Sequence, residues 1–283
     1  MRAPVANIKE DLMAKAIKHI TAGLLNIEVI GNVPEPQAGR RGRSGRSNPT
    51  SAAQQFYNNK CSWRELELVL AANFGSNDMV VTFTYDDEHV PADKKAGDQL
   101  LQKAFRKIRA ARRLRNEELK YVYATEGYHG AQADEFFGDD RELENHRVHH
   151  HVVMNRTSAG DLEEIRSLWP YGGYVRIEPL DVHYYAELAK YLTKEAREYG
   201  RAKPGERSWR ASRNLTKYEV EYIEIPSDSV TLAAPAGAVD YVQFAEKNPY
   251  GFADCIGARY LMFAAPQVPE YSYTRGRKPK GSS

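Results

Sequence analysis

Apolar side chains recur along residues 8–30 at Leu12, Ala16, Ile20 and Leu24, steps of four that predict an amphipathic N-terminal helix. The pattern then stops. VPEPQAGRRGRSGRSNPTS combines Pro, Gly and Ser with Arg40, Arg41, Arg43 and Arg46 and almost no apolar residue, so residues 33–53 read as a flexible basic linker, either a solvated tether or a mobile phosphate-contacting arm. Regular patterning returns near residue 78. MVVTFTY (79–85) is rich in β-branched and aromatic residues and ends at the turn signals DDEHVP, which predicts a buried strand. Asp93 can cap a long helix over 93–115, with Leu101, Phe105 and Ile108 forming an apolar stripe beside Leu100, Ala104 and Ala111. Strands are then expected at LKYVYATE (119–126) and 147–154, a helix at 161–169, a WPYGG turn, a strand at 174–180 and a helix at 183–200.

Strand, helix, strand, strand, helix, strand and a further helix predict an α+β protein of the ferredoxin-like βαββαβ order. Such a chain forms an antiparallel sheet with helices on one face, leaving the other open for an active site. Beyond residue 200, SWRASRNL reads as a loop entering a short element, VEYIEI and ARYLMFAA as additional strands, and YTRGRKPKGSS as a disordered basic tail. The expected organisation is a helical segment at 1–32, the linker at 33–53, a principal domain at 54–218, an extension packed on that domain at 219–272, and a tail at 273–283.

With 283 residues and 42% hydrophobic content, the chain is long enough to bury a substantial core. Its formal net charge of +2 does not by itself announce a polyanionic partner. Cys61 and Cys255 are far apart and in no ligand-like spacing, which argues against a disulfide framework and suits a reducing cytoplasm. The most apolar early stretch is interrupted by Lys18 and His19, so no membrane partner is expected. The sequence contains no phosphate-loop motif, so no nucleotide cofactor is expected.

The stretch HRVHHHVVMN (146–155) carries the first candidate chemistry. Side chains alternate along a strand, so His149 and His151 share one face, while Val148, His150, Val152 and Met154 share the other. The apolar members define the core face and place His150 within it; His146 lies at the strand edge. His149 and His151 can then share a divalent ion on the open face or, equally, be two solvated surface histidines. Glu126, ending the strand expected to pair with theirs, is the best carboxylate to complete an oxygen-and-nitrogen site for Mg²⁺ or Mn²⁺. In HYYAELAKYLTKEA, Tyr191 and Lys194 are three apart on one helix face, where a cation can activate a phenol nucleophile. Tyr184 and Tyr185 are alternatives, and packing is the competing explanation for all three tyrosines.

Helix 93–115 carries Lys103, Arg106, Lys107, Arg109, Arg112, Arg113 and Arg115, with no acid between Gln99 and Asn116. The stripe is a candidate phosphate-binding surface or an ordinary solvated face. Trp209, Arg210 and Arg213 add an aromatic surface and cations of the kind that bind single-stranded DNA.

HRVHHHVVMN resembles the histidine-hydrophobic-histidine motif, and AKYLTKEA the Tyr-x-x-Lys motif, of the HUH endonucleases. Within these the likeness is to rolling-circle replication initiators with a single catalytic tyrosine. TFTY, LWPYGGYVRIEPL and SWRASRNL resemble the plasmid and phage replication-associated subgroup, so the likeness covers roughly residues 78–218. It implies that His149 and His151 hold a divalent cation, that Glu126 completes the site, and that Tyr191 attacks DNA to leave a 5′-phosphotyrosine and a free 3′-hydroxyl while Lys194 steadies the phosphate. It further implies single-stranded DNA at a replication origin as substrate, a host helicase and polymerase as partners, and rejoining without ATP. The middle position of the motif is His150 rather than an apolar residue, which leaves a ligand register through His150 to be tested. Relaxases and single-strand transposases share this chemistry, and a non-catalytic origin-binding protein is the alternative of another class.

Overall fold

The runs MVVTF, YVYATE and HHHVVM, rich in β-branched and aromatic residues, build the sheet that carries the candidate residues. The structure, a computed structural model, describes residues 15–32, 52–127, 148–158, 160–194, 207–225, 232–246 and 255–263. Backbone contacts divide the chain into two units, residues 47–217 and residues 1–46 with 218–283. Among the described residues there are four helices and two five-stranded antiparallel sheets, an α+β protein. No helix there is long and apolar enough to cross a membrane.

Within 47–217 the elements are α1 (Ala52–Asn73), β3 (Met79–Phe83), α2 (Lys94–Arg113), β4 (Tyr121–Glu126), β5 (His149–Met154), α3 (Asp161–Ser167), β6 (Val175–Pro179), α4 (Tyr185–Leu192) and β7 (Arg210–Ala211). β1 (Lys15–Ala22) and β2 (Leu25–Asn32) precede them, in the other unit. The strands lie in the order β6-β3-β5-β4-β7. Asp93 caps α2 by accepting from the Ala96 amide at 2.6 Å, as expected. Leu101, Phe105 and Ile108 of α2 pack on Val81, Phe83, Tyr121, Tyr123, Val152 and Met154, with Phe105 stacked on Tyr121 at 3.9 Å. Each such fully buried side chain contributes about 1.5–3 kcal/mol. Gly97 lets α2 approach closely, because a Cβ there would lie 2.9 Å from Val148 and 3.3 Å from His150.

Two expectations for this unit need correction. The sheet's second face is not open along its length: Val122 and Val153 on it are fully buried. α4 begins where the Tyr185 hydroxyl donates to the Phe74 carbonyl just past α1, and ends with Tyr191 at His151, so it runs along this face. Arg112 belongs to the core rather than to a DNA surface. Its guanidinium reaches Asp161 at 3.1 Å and the Asn155 side chain and carbonyl at 2.9 Å each, with no exposure. The α2 stripe is wide enough to draw one arginine inside, and α3 supplies the carboxylate that makes this tolerable. Helix α1, to which the sequence reading assigned no element, concentrates its buried Leu66, Glu67, Leu70 and Ala71 in its last turns, after the polar run QQFYNNK has diluted the pattern.

The N-terminal helix is also corrected. β1 and β2 form a hairpin closed at Gly23–Leu24, with Ala22 opposite Leu25. Steps of four are also multiples of two, so Ala16 and Ile20 fit a strand face as well as a helix stripe. Gly23, with φ 57, supplies the positive dihedral that a two-residue hairpin turn requires. β8 (Glu219–Ile225) and β10 (Cys255–Met262) realise the strands expected at VEYIEI and ARYLMFAA, and β9 (Ala238–Glu246) joins them in the order β8-β1-β2-β10-β9.

Candidate functional site

The register of β3, β4 and β5 assembles the site. Glu126 lies opposite His149, and Ala124 and Thr82 flank His151 on either side. Residues facing each other across an antiparallel pair point the same way, so Glu126, His149, His151 and Thr82 share one face. The ligand atoms of Glu126, His149 and His151 all lie within 4.8 Å of one another, a group that can hold a metal ion. Nε2 of His149 is 3.3 Å, and Nε2 of His151 3.5 Å, from Oε2 of Glu126. The other oxygen, Oε1, is buried with no hydrogen-bond partner among the described residues. A buried carboxylate oxygen left bare is costly, and coordination would satisfy it. Two imidazoles and a carboxylate thus fit a divalent cation in donor type, number and unmet bonding capacity.

Burial raises the Glu126 pKa, but hydrogen bonds from His149 and His151 and the Lys194 ammonium outweigh it, holding the carboxyl well below its usual range. Lys194 Nζ is 3.0 Å from Oε2, and despite the opposing effect of burial this contact holds its pKa above the ordinary lysine value. The same ammonium lies 3.9 Å from the centre of the Tyr191 ring. Tyr191, 44% exposed, places its hydroxyl 3.1 Å from Nε2 of His151. Thr82 Oγ1 is 3.1 Å from the other nitrogen, Nδ1. If Nδ1–H donates to Thr82, Nε2 is left with a free lone pair, the state in which it accepts from Tyr191 or binds a cation.

His150 points into the core and is fully buried, as strand parity requires. Thr125 donates its only hydroxyl proton to Asp98 at 2.6 Å, so the 2.8 Å contact to His150 is donated by the imidazole Nδ1–H. Nε2 then accepts from the Tyr85 hydroxyl at 2.7 Å. Burial, with the neighbouring His149 and His151, lowers its pKa to about 3 and keeps it neutral. Both nitrogens are occupied, so the alternative ligand register through His150 is disfavoured.

The remaining sequence candidates separate in space. Tyr185 is buried and tied to Phe74, and Tyr184 is exposed. His146 and the acids of 128–147 lie outside the described residues. Arg109, Arg113, Arg210 and Arg213 line a cleft of about 880 Å³ beside β4, joined by Arg207, which sequence reading passed over. Lys103, Arg106 and Lys107 are exposed on α2 and do not line it. The Trp209 indole donates to the Ser62 carbonyl at 3.2 Å, which ties it to α1. Thr82, Thr125, Tyr85 and Asp98 were also passed over. Thr82 shares its parity with the site, but only the pairing of β3 with β5 shows which histidine it meets.

Comparison with known proteins adds an independent finding. Residues 78–196 match the family of replication-associated proteins described by its ORF2 member. That span holds β3 to α4, hence every residue of the Glu126, His149, His151, Tyr191 and Lys194 cluster. No curated protein and no solved structure matches the chain.

Proposed function

We propose, taking the match of residues 78–196 to the replication-associated family as premise, that the chain is a rolling-circle replication initiator that nicks single-stranded DNA at an origin. The observation that carries this is the convergence of Tyr191 and Lys194 on the Glu126, His149 and His151 group. The sheet order β6-β3-β5-β4, antiparallel throughout, is that of a ferredoxin-like βαββαβ core and supports the same reading.

Glu126, His149 and His151 would hold Mg²⁺ or Mn²⁺, which when bound polarises the scissile phosphate and offsets its charge. The protein's own groups do the rest. Tyr191 Oη forms a bond to phosphorus, the bond from phosphorus to O3′ breaks, and the departing oxygen takes up a proton to become a free 3′-hydroxyl. The phenolic proton is lost to water at the half-exposed Tyr191 side chain. Lys194 favours the phenolate through its charge and steadies the phosphate oxygens. His151 Nε2 cannot be both ligand and acceptor for Tyr191, so the phenol must leave it to reach a phosphate. Because the phosphotyrosine is itself a phosphodiester, attack by a 3′-hydroxyl rejoins the strand without ATP. A host polymerase extends the 3′-end and a host helicase supplies unwinding.

The test is incubation with single-stranded DNA from the protein's own replicon and Mn²⁺, followed by denaturing electrophoresis. A denaturation-resistant adduct that disappears with EDTA, and with His149→Ala or His151→Ala, is the expected result. No cation-dependent cleavage of any origin fragment would remove the enzyme reading and leave origin binding.

A further inference from the structure

The arginine cleft beside β4 has no part in the chemistry above, and its composition is unusual. Arg109 and Arg113 from the end of α2 meet Arg207, Arg210 and Arg213 from the segment around β7. Among the described residues no acid pairs with Arg109, Arg113, Arg207 or Arg213. The two acids on its wall are engaged elsewhere: Glu117 accepts from Arg115 at 2.9 Å and Thr157 at 2.7 Å, and Glu118 accepts from Asn214 at 3.3 Å. Guanidiniums gathered in one concavity repel one another, and a polyanion relieves that repulsion with charge-assisted hydrogen bonds.

We infer that this cleft is a second DNA site, which grips the sugar-phosphate backbone of a segment other than the one being cut. Sheet geometry separates the two. Tyr121 and Tyr123 on the cleft wall point to the α2 face, whereas Ala124 and Glu126 point to the face of His149 and His151. The sheet therefore stands between the cleft and the nucleophile, and one phosphate cannot touch both. The sites are nevertheless joined by polar contacts. Arg210 pairs with Asp98, Asp98 accepts from Thr125, and Thr125 accepts from His150 between the two metal-binding candidates. Thr125 also directly precedes Glu126. A phosphate that draws Arg210 away from Asp98 acts on a chain of contacts ending in the catalytic strands.

This inference rests on the reading of the chain as acting on DNA, so its test is made in EDTA, where binding is measured without cleavage. Fluorescence anisotropy of a labelled mixed-sequence single strand, and separately of a duplex, is followed through a salt titration of the full chain. Each phosphate neutralised contributes about 0.7 to the logarithmic salt slope for single strands and about 0.9 for duplex. Arg113→Gln with Arg213→Gln should therefore lower the slope by about 1.4 on a single strand or about 1.8 on a duplex, and the arm that responds identifies which form enters. Arg207→Gln alone, at an exposed position, should lower it by about half as much. Arg156→Gln with Arg166→Gln removes the same charge at exposed positions outside the cleft and should leave the slope unchanged. An unaltered slope in the cleft variants, or an equal loss in the Arg156 and Arg166 pair, would overturn the inference. Failure of nicking would show instead as an absent adduct in Mn²⁺ with the salt slope intact.

Discussion

At the scale of single residues, three consecutive histidines have two different tasks, and strand alternation was enough to separate them. His149 and His151 face Glu126, while His150 is locked between Thr125 and Tyr85. Truncating His150 removes a buried ring and strands two hydroxyls. His150→Ala should therefore cost about 2–4 kcal/mol in denaturant unfolding. A cost under about 0.5 kcal/mol would contradict its structural role. Thr82 acts at one remove, by orienting His151. Thr82→Val keeps the shape and removes the hydroxyl, so Mn²⁺ affinity measured by calorimetry should fall about 10–100-fold while the fold persists. Unchanged affinity would mean that the Nδ1 contact does not set the tautomer. The Glu126 assignment was legible because the residue ends the strand next to the histidines. Thr82 was not, because its role depends on the register between β3 and β5, which lie far apart in the chain.

At the scale of elements, sequence periodicity worked where a stripe was broad and failed where it was sparse. Helix α2 was legible from its dense apolar face and its Asp93 cap. The N-terminal hairpin was not, since isolated apolar residues four apart suit either period and the deciding feature was one glycine. Arg112 shows a different limit. A basic residue on an amphipathic helix reads as solvated, and only the arrival of α3 with Asp161 makes a buried position possible. Burial raises the Asp161 pKa, but the Thr157 amide, Ser158 and Arg112 outweigh it and depress it. Because the folded value lies below the unfolded value of about 3.9, the stabilisation is fully present above that pH and is lost as pH falls through the depressed folded value. Asp161→Asn leaves a buried guanidinium uncompensated, so it should cost about 3–5 kcal/mol at neutral pH and remove this component of acid unfolding. Urea denaturation across pH would reveal it. Parallel stability curves for the variant and the parent below pH ~4 would contradict the assignment.

At the scale of the whole molecule, the balanced net charge of +2 concealed a local concentration of arginine, because acids elsewhere cancel it in the sum. The pairing of β1 and β2 with β8 and β10 was equally hidden, since hydrogen bonding between strands from opposite ends of a chain leaves no mark on local pattern. What the sequence did convey was the order of elements from β3 to α4, and with it the group that the family match also spans. The central claim is that Tyr191 becomes covalently joined to DNA. It is tested most directly by digesting the Mn²⁺-dependent adduct and mapping the modified peptide by mass spectrometry. A 5′-phosphonucleotide on Tyr191, absent from Tyr191→Phe, is the predicted result; an adduct on another residue, or one that persists in Tyr191→Phe, would contradict it.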